Sequence, residues 1–456
     1  MIETTIATIE AYARRIRPEY ERALKEIVEI PTVSTDPAYH ADILRGVDWA
    51  MAFLKSHNVE AERFDTAGYP VVVGWMRHPQ ATKTLTIYNH MDVQPANEPE
   101  WITAPFVMET DGDLYRGRGT TDDKGPALAA FYAALAAREA GLPLNIQFIW
   151  EFEEEIGSPS FMAFMQANKQ KLHTDSVVVS DTIWINRGKP AAPLGLRGML
   201  TFRLLLETGT KDVHSGLAGG AARNPIGELC QLITDMYEPR TGRIKVPGLV
   251  AEAVPPTEDE IQGFLASGFD SNEFKRAHGL KCLRTDDPRE VTQAIWAKPT
   301  FEVHGIVGGY VGAGIKAIVP PRAEAKLSMR LVPDLQPDQV FDRIQAFVAD
   351  NNPDVVCEKI GALEPYQGSA GGPFADAVRT SLRFAFGADP SFVREGGSIG
   401  AVVTMQKVLG CPIMFIGLSL PEHGYHAPNE HFEWSMAEGG MKAFTRYFEL
   451  VVAMER

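Results

Sequence analysis

Two adjacent aspartates, Asp122 and Asp123, stand in the run Gly117-Arg118-Gly119-Thr120-Thr121-Asp122-Asp123-Lys124-Gly125-Pro126. His90-Met91-Asp92 precedes them, Glu153-Glu154-Glu155 follows, and Asp181 and His426 lie further along. Paired acids in a glycine-bounded turn that opens an amphipathic helical stretch repel each other, and a turn alone does not need them. They make sense around a cation, and Asp122 is read as the bridging carboxylate of a two-metal site. Side chains two apart on a strand share a face, so His90 can ligate a metal while Asp92 takes its other ring proton. Neighbouring carboxylates beside a dinuclear cation can divide the work, which suits Glu155 as ligand and Glu154 as general base. Taken singly, each residue has a plainer use: a strand-end histidine, a solvated acidic turn, a capping aspartate. Their number is what argues for a site.

The elements that must position them follow from periodicity. Residues 71–76 and 85–88 are apolar runs suited to buried strands, and the second leads into His90 and Asp92. Residues 127–141 carry Leu128, Phe131, Tyr132 and Leu135 at helical spacing, with Gly141 as the stop. A strand over 146–152 ends at the glutamates, a helix spans 159–172, and a strand over 176–179 leads to Asp181. Helices are also expected over 10–29, kinked or divided at Pro18, and over 42–57. Strands alternating with helices imply an α/β fold with a mostly parallel sheet, whose ligand sites form outside the carboxyl ends of the strands. His90, Asp92, Glu154, Glu155 and Asp181 all fall there.

From about residue 195 the texture changes. A strand over 199–206, a helix over 224–237, a hairpin of 317–319 with 324–332, a helix over 336–349 and a strand over 355–359 give a β-α-β-β-α-β order, the ferredoxin-like arrangement. Residues 241–312 read as an insertion within it. After about 364 the α/β pattern returns, with helices over 373–387 and 435–454 and a strand over 411–418. The expected organisation is a catalytic domain in two parts, 1–194 and 364–456, around an inserted lid and dimerisation domain, 195–363.

The 456 residues exceed one ordinary core, and 45% hydrophobic with 23% charged residues fit a globular enzyme. A net charge of −15 argues against nucleic acid or an anionic membrane as partner. No signal peptide is recognised, and no run approaches the roughly 20 apolar residues of a membrane span. Cys230, Cys282, Cys357 and Cys411 are scattered and read as buried free thiols in a reducing cytoplasm. Any metal must then be held by histidine and carboxylate.

These motifs, Tyr88 to Pro95, Gly117 to Pro126 and Glu154 to Ser158, together with Lys211 to Gly216 and Ser328 to Pro333, resemble those of the co-catalytic zinc metallopeptidases. That family includes carnosinases, cytosolic nonspecific dipeptidase, glutamate carboxypeptidases, aminoacylases and desuccinylases, and the chain is most similar to the carnosinase-like branch. The resemblance implies one zinc held by His90, Asp122 and Asp181 and a second held by Asp122, Glu155 and His426, with a cis peptide after Asp122. It implies Glu154 as the base for the attacking water, and His214 as a lid histidine that reaches the partner subunit's site in dimeric members. Arg330 matches the arginine that holds the substrate carboxylate, and Ser398 faces the same end. Ala317 departs from the threonine that the carnosinase-like lid hairpin can carry.

The expectation is a cytoplasmic, homodimeric di-zinc peptidase acting on dipeptides or short amides with a free C-terminal carboxylate. Manganese or cobalt would suit the same ligands. An N-acyl-amino-acid amidohydrolase is the alternative within the enzyme class. A silent metal-binding protein is the alternative outside it, and the intact Glu154 argues against silence.

Overall fold

A computed structural model describes residues 5–455. Six strands form the larger sheet, in the order Glu60–Phe64, Val71–Met76, Asn145–Glu151, Thr84–His90, Ser176–Val179 and Ile413–Phe415. The last four are mutually parallel, and the first two add an antiparallel edge. Both faces are covered, so the central strands are buried along their length. Leu85, Ile87, Ile146, Phe148 and Trp150 pack on one side with helices Ile6–Val28, His40–Ser56, Gly125–Glu139 and Trp434–Ala453. Tyr88, Ile149, Val177 and Val179 pack on the other with helices Phe161–Asn168 and Gly400–Leu409.

Two helices differ from their sequence pattern. Ile6–Val28 runs unbroken through Pro18. The proline removes one main-chain hydrogen bond, and the buried stripe Ile9, Ala13, Ile16, Tyr20, Leu24 and Ile27 outweighs that loss. Gly125–Glu139 is buried nearly all round rather than amphipathic. Its alanines let it lie between the sheet and the terminal helices, where Tyr12 and Tyr20 donate hydrogen bonds to the Tyr132 and Gly125 carbonyls.

The second sheet has the order Thr300–Gly308, Arg322–Leu331, Gly198–Glu207 and Val356–Leu363, antiparallel throughout. Helices Pro225–Met236 and Pro337–Asn351 cover one face, packed on Leu200, Phe202, Leu204, Leu327 and Met329. The β-α-β-β-α-β order holds, with one substitution of elements. The hairpin partner of Arg322–Leu331 is Thr300–Gly308, whereas Ile318–Val319 pairs with Val213–His214. Polar residues interrupt the alternation of 300–308, and a bulge between Val303 and Gly305 breaks its period. Of the rest of the expected insertion, Ile244, Val246 and Leu249 join the core of this sheet, whereas a later part packs elsewhere. Phe264, Trp296 and Ala297 pack on Ala191 and Val393, in the strands Ala191–Leu196 and Ser391–Glu395. The cysteines are free, but none is buried: Cys230 and Cys282 are exposed, and Cys357 and Cys411 are half-buried.

Candidate active site

The parallel strands end at a group of acids and imidazoles. His90, fully buried, is the last residue of its strand. Its Nε2 lies 3.0 Å from Asp122 Oδ1 and 3.7 Å from Asp181 Oδ2. His426, held at a φ of 55°, places Nε2 3.1 Å from Asp122 Oδ2 and 3.2 Å from Glu155 Oε2. Asp122 therefore presents one oxygen to each imidazole. Ligand atoms of His90, Asp122 and Glu155 all lie within 4.8 Å of one another, and so do those of His90, Glu154 and Asp181. All five expected metal ligands and the expected base are brought together.

Asp92 faces the other ring nitrogen of His90, as expected, but chiefly through its main-chain oxygen. The Nδ1 of His90 faces the Asp92 main-chain oxygen at 3.0 Å, with the carboxylate at 3.6 Å. A proton on Nδ1 leaves Nε2 free to ligate. The Asp92 carboxylate accepts hydrogen bonds from the main-chain N–H groups of Glu154 and Glu155, at 3.1 and 3.0 Å, and so fixes the turn carrying both acids.

Sequence reasoning gave no role to Glu430, the organiser of the Asp122 turn. This fully buried carboxylate accepts from Thr121 N, Asp122 N and Gly119 N at 2.9, 3.1 and 2.9 Å, and from Arg118 Nη1 at 2.9 Å. Its only signal was proximity to His426 in the segment Pro428-Asn429-Glu430. The glycines make this turn possible. Gly119 sits at a φ of 88°, and a Cβ on Gly125 would lie 2.2 Å from the Thr120 carbonyl. The Asp122–Asp123 peptide is cis. Replacing Glu430 with glutamine leaves Arg118 buried without its counter-charge, with an expected cost of about 3–5 kcal/mol. Urea unfolding of the two proteins checks this.

The electrostatics are those of a site short of positive charge. Burial, then the Asp122 and Glu155 carboxylates, push Asp181 up to about 7. Burial, then the charges of Asp181, Glu155 and Asp92, raise Glu154 well above its ordinary value, against the pull of His90. Burial would raise Asp122 too, but hydrogen bonds from His426 and His90 hold it well below the carboxylate range. Two imidazoles cannot balance this many converging carboxylates. A nitrogen and oxygen donor set of this kind fits borderline or hard divalent cations such as zinc, manganese or cobalt.

The acids open onto a cleft of about 790 Å³ whose lining also includes Arg330 and Ser398. Arg330 Nη1 donates to Ser398 Oγ at 2.9 Å, and that hydroxyl donates to the Arg197 carbonyl. Burial, then the neighbouring Arg330, lower Arg197 to about 9, and burial lowers Arg330. Among the described residues neither guanidinium has an ion-pair partner. Glu395 lines the cleft as well, with Oε2 buried and unpartnered. Burial and the Asp181 charge push it up to about 8. Tyr425 donates to Asp181 Oδ1 at 3.3 Å. Neither residue was anticipated. His214 is the one expected site residue left outside: exposed at the end of the strand Val213–His214, it accepts from Gly216 N at 2.9 Å and does not line the cleft.

Comparison with known proteins matches residues 86–450 to the family model described as peptidase family M20/M25/M40. The human Beta-Ala-His dipeptidase is 31% identical, over 94% of this chain and 89% of the relative. The Cys-Gly metallodipeptidase dug1 of Schizosaccharomyces pombe is 30% identical, over 94% of this chain and 95% of its own. The crystal structure of human carnosine dipeptidase 1 superposes with a TM-score of 0.87 at 28% identity, covering 98% of this chain and all of that one. An M20 family metallo-carboxypeptidase from Sulfolobus solfataricus gives 0.87 at 30% identity, covering 96% of this chain and all of the other.

Proposed function

This chain belongs to peptidase family M20/M25/M40, and from that premise we propose that it is a dinuclear zinc dipeptidase cleaving substrates with a free C-terminal carboxylate. One observation carries the reading. A single cleft is lined by the acids Asp122, Glu154, Glu155 and Asp181 with His426, and also by Arg330, which has no ion-pair partner among the described residues. The same reading places His90, Asp122 and Asp181 around one cation and Asp122, Glu155 and His426 around the other. When bound, such cations polarise a scissile carbonyl and acidify water from about 16 toward roughly 7.

The chain's own residues supply the rest. Arg330 and Ser398 grip the C-terminal carboxylate and aim the amide at the acids. Glu154, held by the Asp92 bond to its main chain, takes the proton of the attacking water and returns it to the leaving amine. Arg330→Met should lower kcat/KM about 10- to 100-fold for a free dipeptide, through KM, and leave the C-terminal amide unchanged. Steady-state kinetics on the two substrates check this.

Glu395 favours a dipeptide over an N-acyl amino acid. A half-buried acid with one unpartnered oxygen beside the site suits the free amino group that the dipeptide has and the acylated substrate lacks. A faster reaction with N-acetyl amino acids than with dipeptides would move the activity to the amidohydrolase alternative.

The reading includes a homodimer joined through the second sheet, in which His214 steadies the oxyanion of the partner subunit's site. The exposed position of His214 and the exposed Leu217, Val311 and Ile315 support this. Mixing His214→Ala with Glu154→Gln subunits should restore activity to mixed dimers. No gain on mixing contradicts a role across the interface. Cytoplasmic residence completes the reading, supported by four unpaired cysteines. No helix among the described residues is long and apolar enough to cross a membrane.

A further inference from the structure

On the second sheet, the cleft residues beside Arg330 are Met199, Thr201, Ile360, Gly361, Ala362 and Leu363, and none of these is charged. Cross-strand partners in the second sheet place Thr300, Arg330, Met199 and Leu363 side by side in one row. Directly opposed residues point to the same face, about 4.5–5.5 Å apart. Met329 and Leu200, in the next row, point to the opposite face and into the core. Arg330, Met199 and Leu363 thus share the cleft face, and all three line it. Leu363 then reaches across to the first sheet. A Cβ on Gly400 would lie 3.0 Å from its Cδ2, and one on Gly157 would lie 3.5 Å away. Gly157 ends the short helix Glu154–Ile156, which carries the acids. The half-buried Met199 and Leu363, with Ile156 and the exposed Ile360, therefore pave the path from the carboxylate anchor to Glu154 and Glu155.

We infer that this wall selects an apolar side chain on the residue that carries the free carboxylate, with Met199 and Leu363 as the specificity-determining pair. The inference rests on the proposed binding of that carboxylate at Arg330. A residue whose carboxylate is at Arg330 and whose amide nitrogen is at the acids must span this stretch, and its side chain has Met199 and Leu363 as neighbours. An aliphatic side chain there leaves water for hydrocarbon. A charged one loses its hydration against these hydrocarbon side chains.

The test is kcat/KM of the metal-loaded enzyme on alanyl-leucine, alanyl-glycine, alanyl-aspartate and alanyl-lysine. Leucine should exceed aspartate and lysine by about 10- to 100-fold and glycine by about tenfold. Met199→Ala and Leu363→Ala should each shrink the leucine-to-glycine ratio. Each ratio is internal to one protein, so loss of folded material does not mimic the effect. Equal rates across the wild-type panel, or an unchanged ratio in both variants, overturns the inference while leaving the dipeptidase standing. If only N-acetyl amino acids are cleaved, the dipeptidase reading falls. The wall then stands if N-acetyl-leucine exceeds N-acetyl-aspartate by the same factor, and falls if it does not.

Discussion

Glu154→Gln should lower kcat about 10²–10⁴-fold, the range expected when a positioned proton carrier is lost. Glutamine keeps the shape of the side chain and cannot accept the proton of the attacking water. Its main-chain bond to Asp92 is unaffected by the change, so the turn keeps its place and Glu155 remains available to a metal. KM should therefore change little, and metal content should match the wild type. Turnover of a dipeptide, measured with elemental analysis of the same sample, separates this from general damage. A variant that loses metal along with activity would make Glu154 a ligand rather than a base.

Asp122→Asn should abolish turnover, because both proposed metal positions share this one side chain. Its two oxygens lie 3.0 and 3.1 Å from the two imidazoles, and an amide offers only one oxygen and no charge. The wild type should also gain stability from metal, about 2.7 kcal/mol when the free ion is at one hundred times its dissociation constant. Chelation should remove that gain. In Asp122→Asn, melting curves with and without zinc should nearly coincide. A variant with the full thermal shift would place the ions elsewhere.

The site was legible because its parts are local. Strand-end residues such as His90, Glu154, Glu155 and Asp181 declare themselves by following apolar runs, and the parallel topology collects them at one edge. Glu430 was not legible. Its partners are main-chain N–H groups more than 300 residues earlier, and no local pattern encodes such a bond. The strand Thr300–Gly308 was missed for a related reason. It is an edge strand with a bulge and polar residues on one face, so its period is weak and its pairing is set by its neighbour. The burial of Gly125–Glu139 also depends on distant partners, since its alanines are ordinary in any helix. His214 lies exposed and outside the cleft of its own chain, a placement that its local motif does not encode.

Anomalous diffraction from zinc-loaded crystals tests the central claim most directly. Two peaks should flank Asp122, one beside His90 and Asp181 and the other beside Glu155 and His426. A single peak, or peaks remote from Asp122, would contradict a dinuclear site bridged by that carboxylate and the chemistry assigned to it.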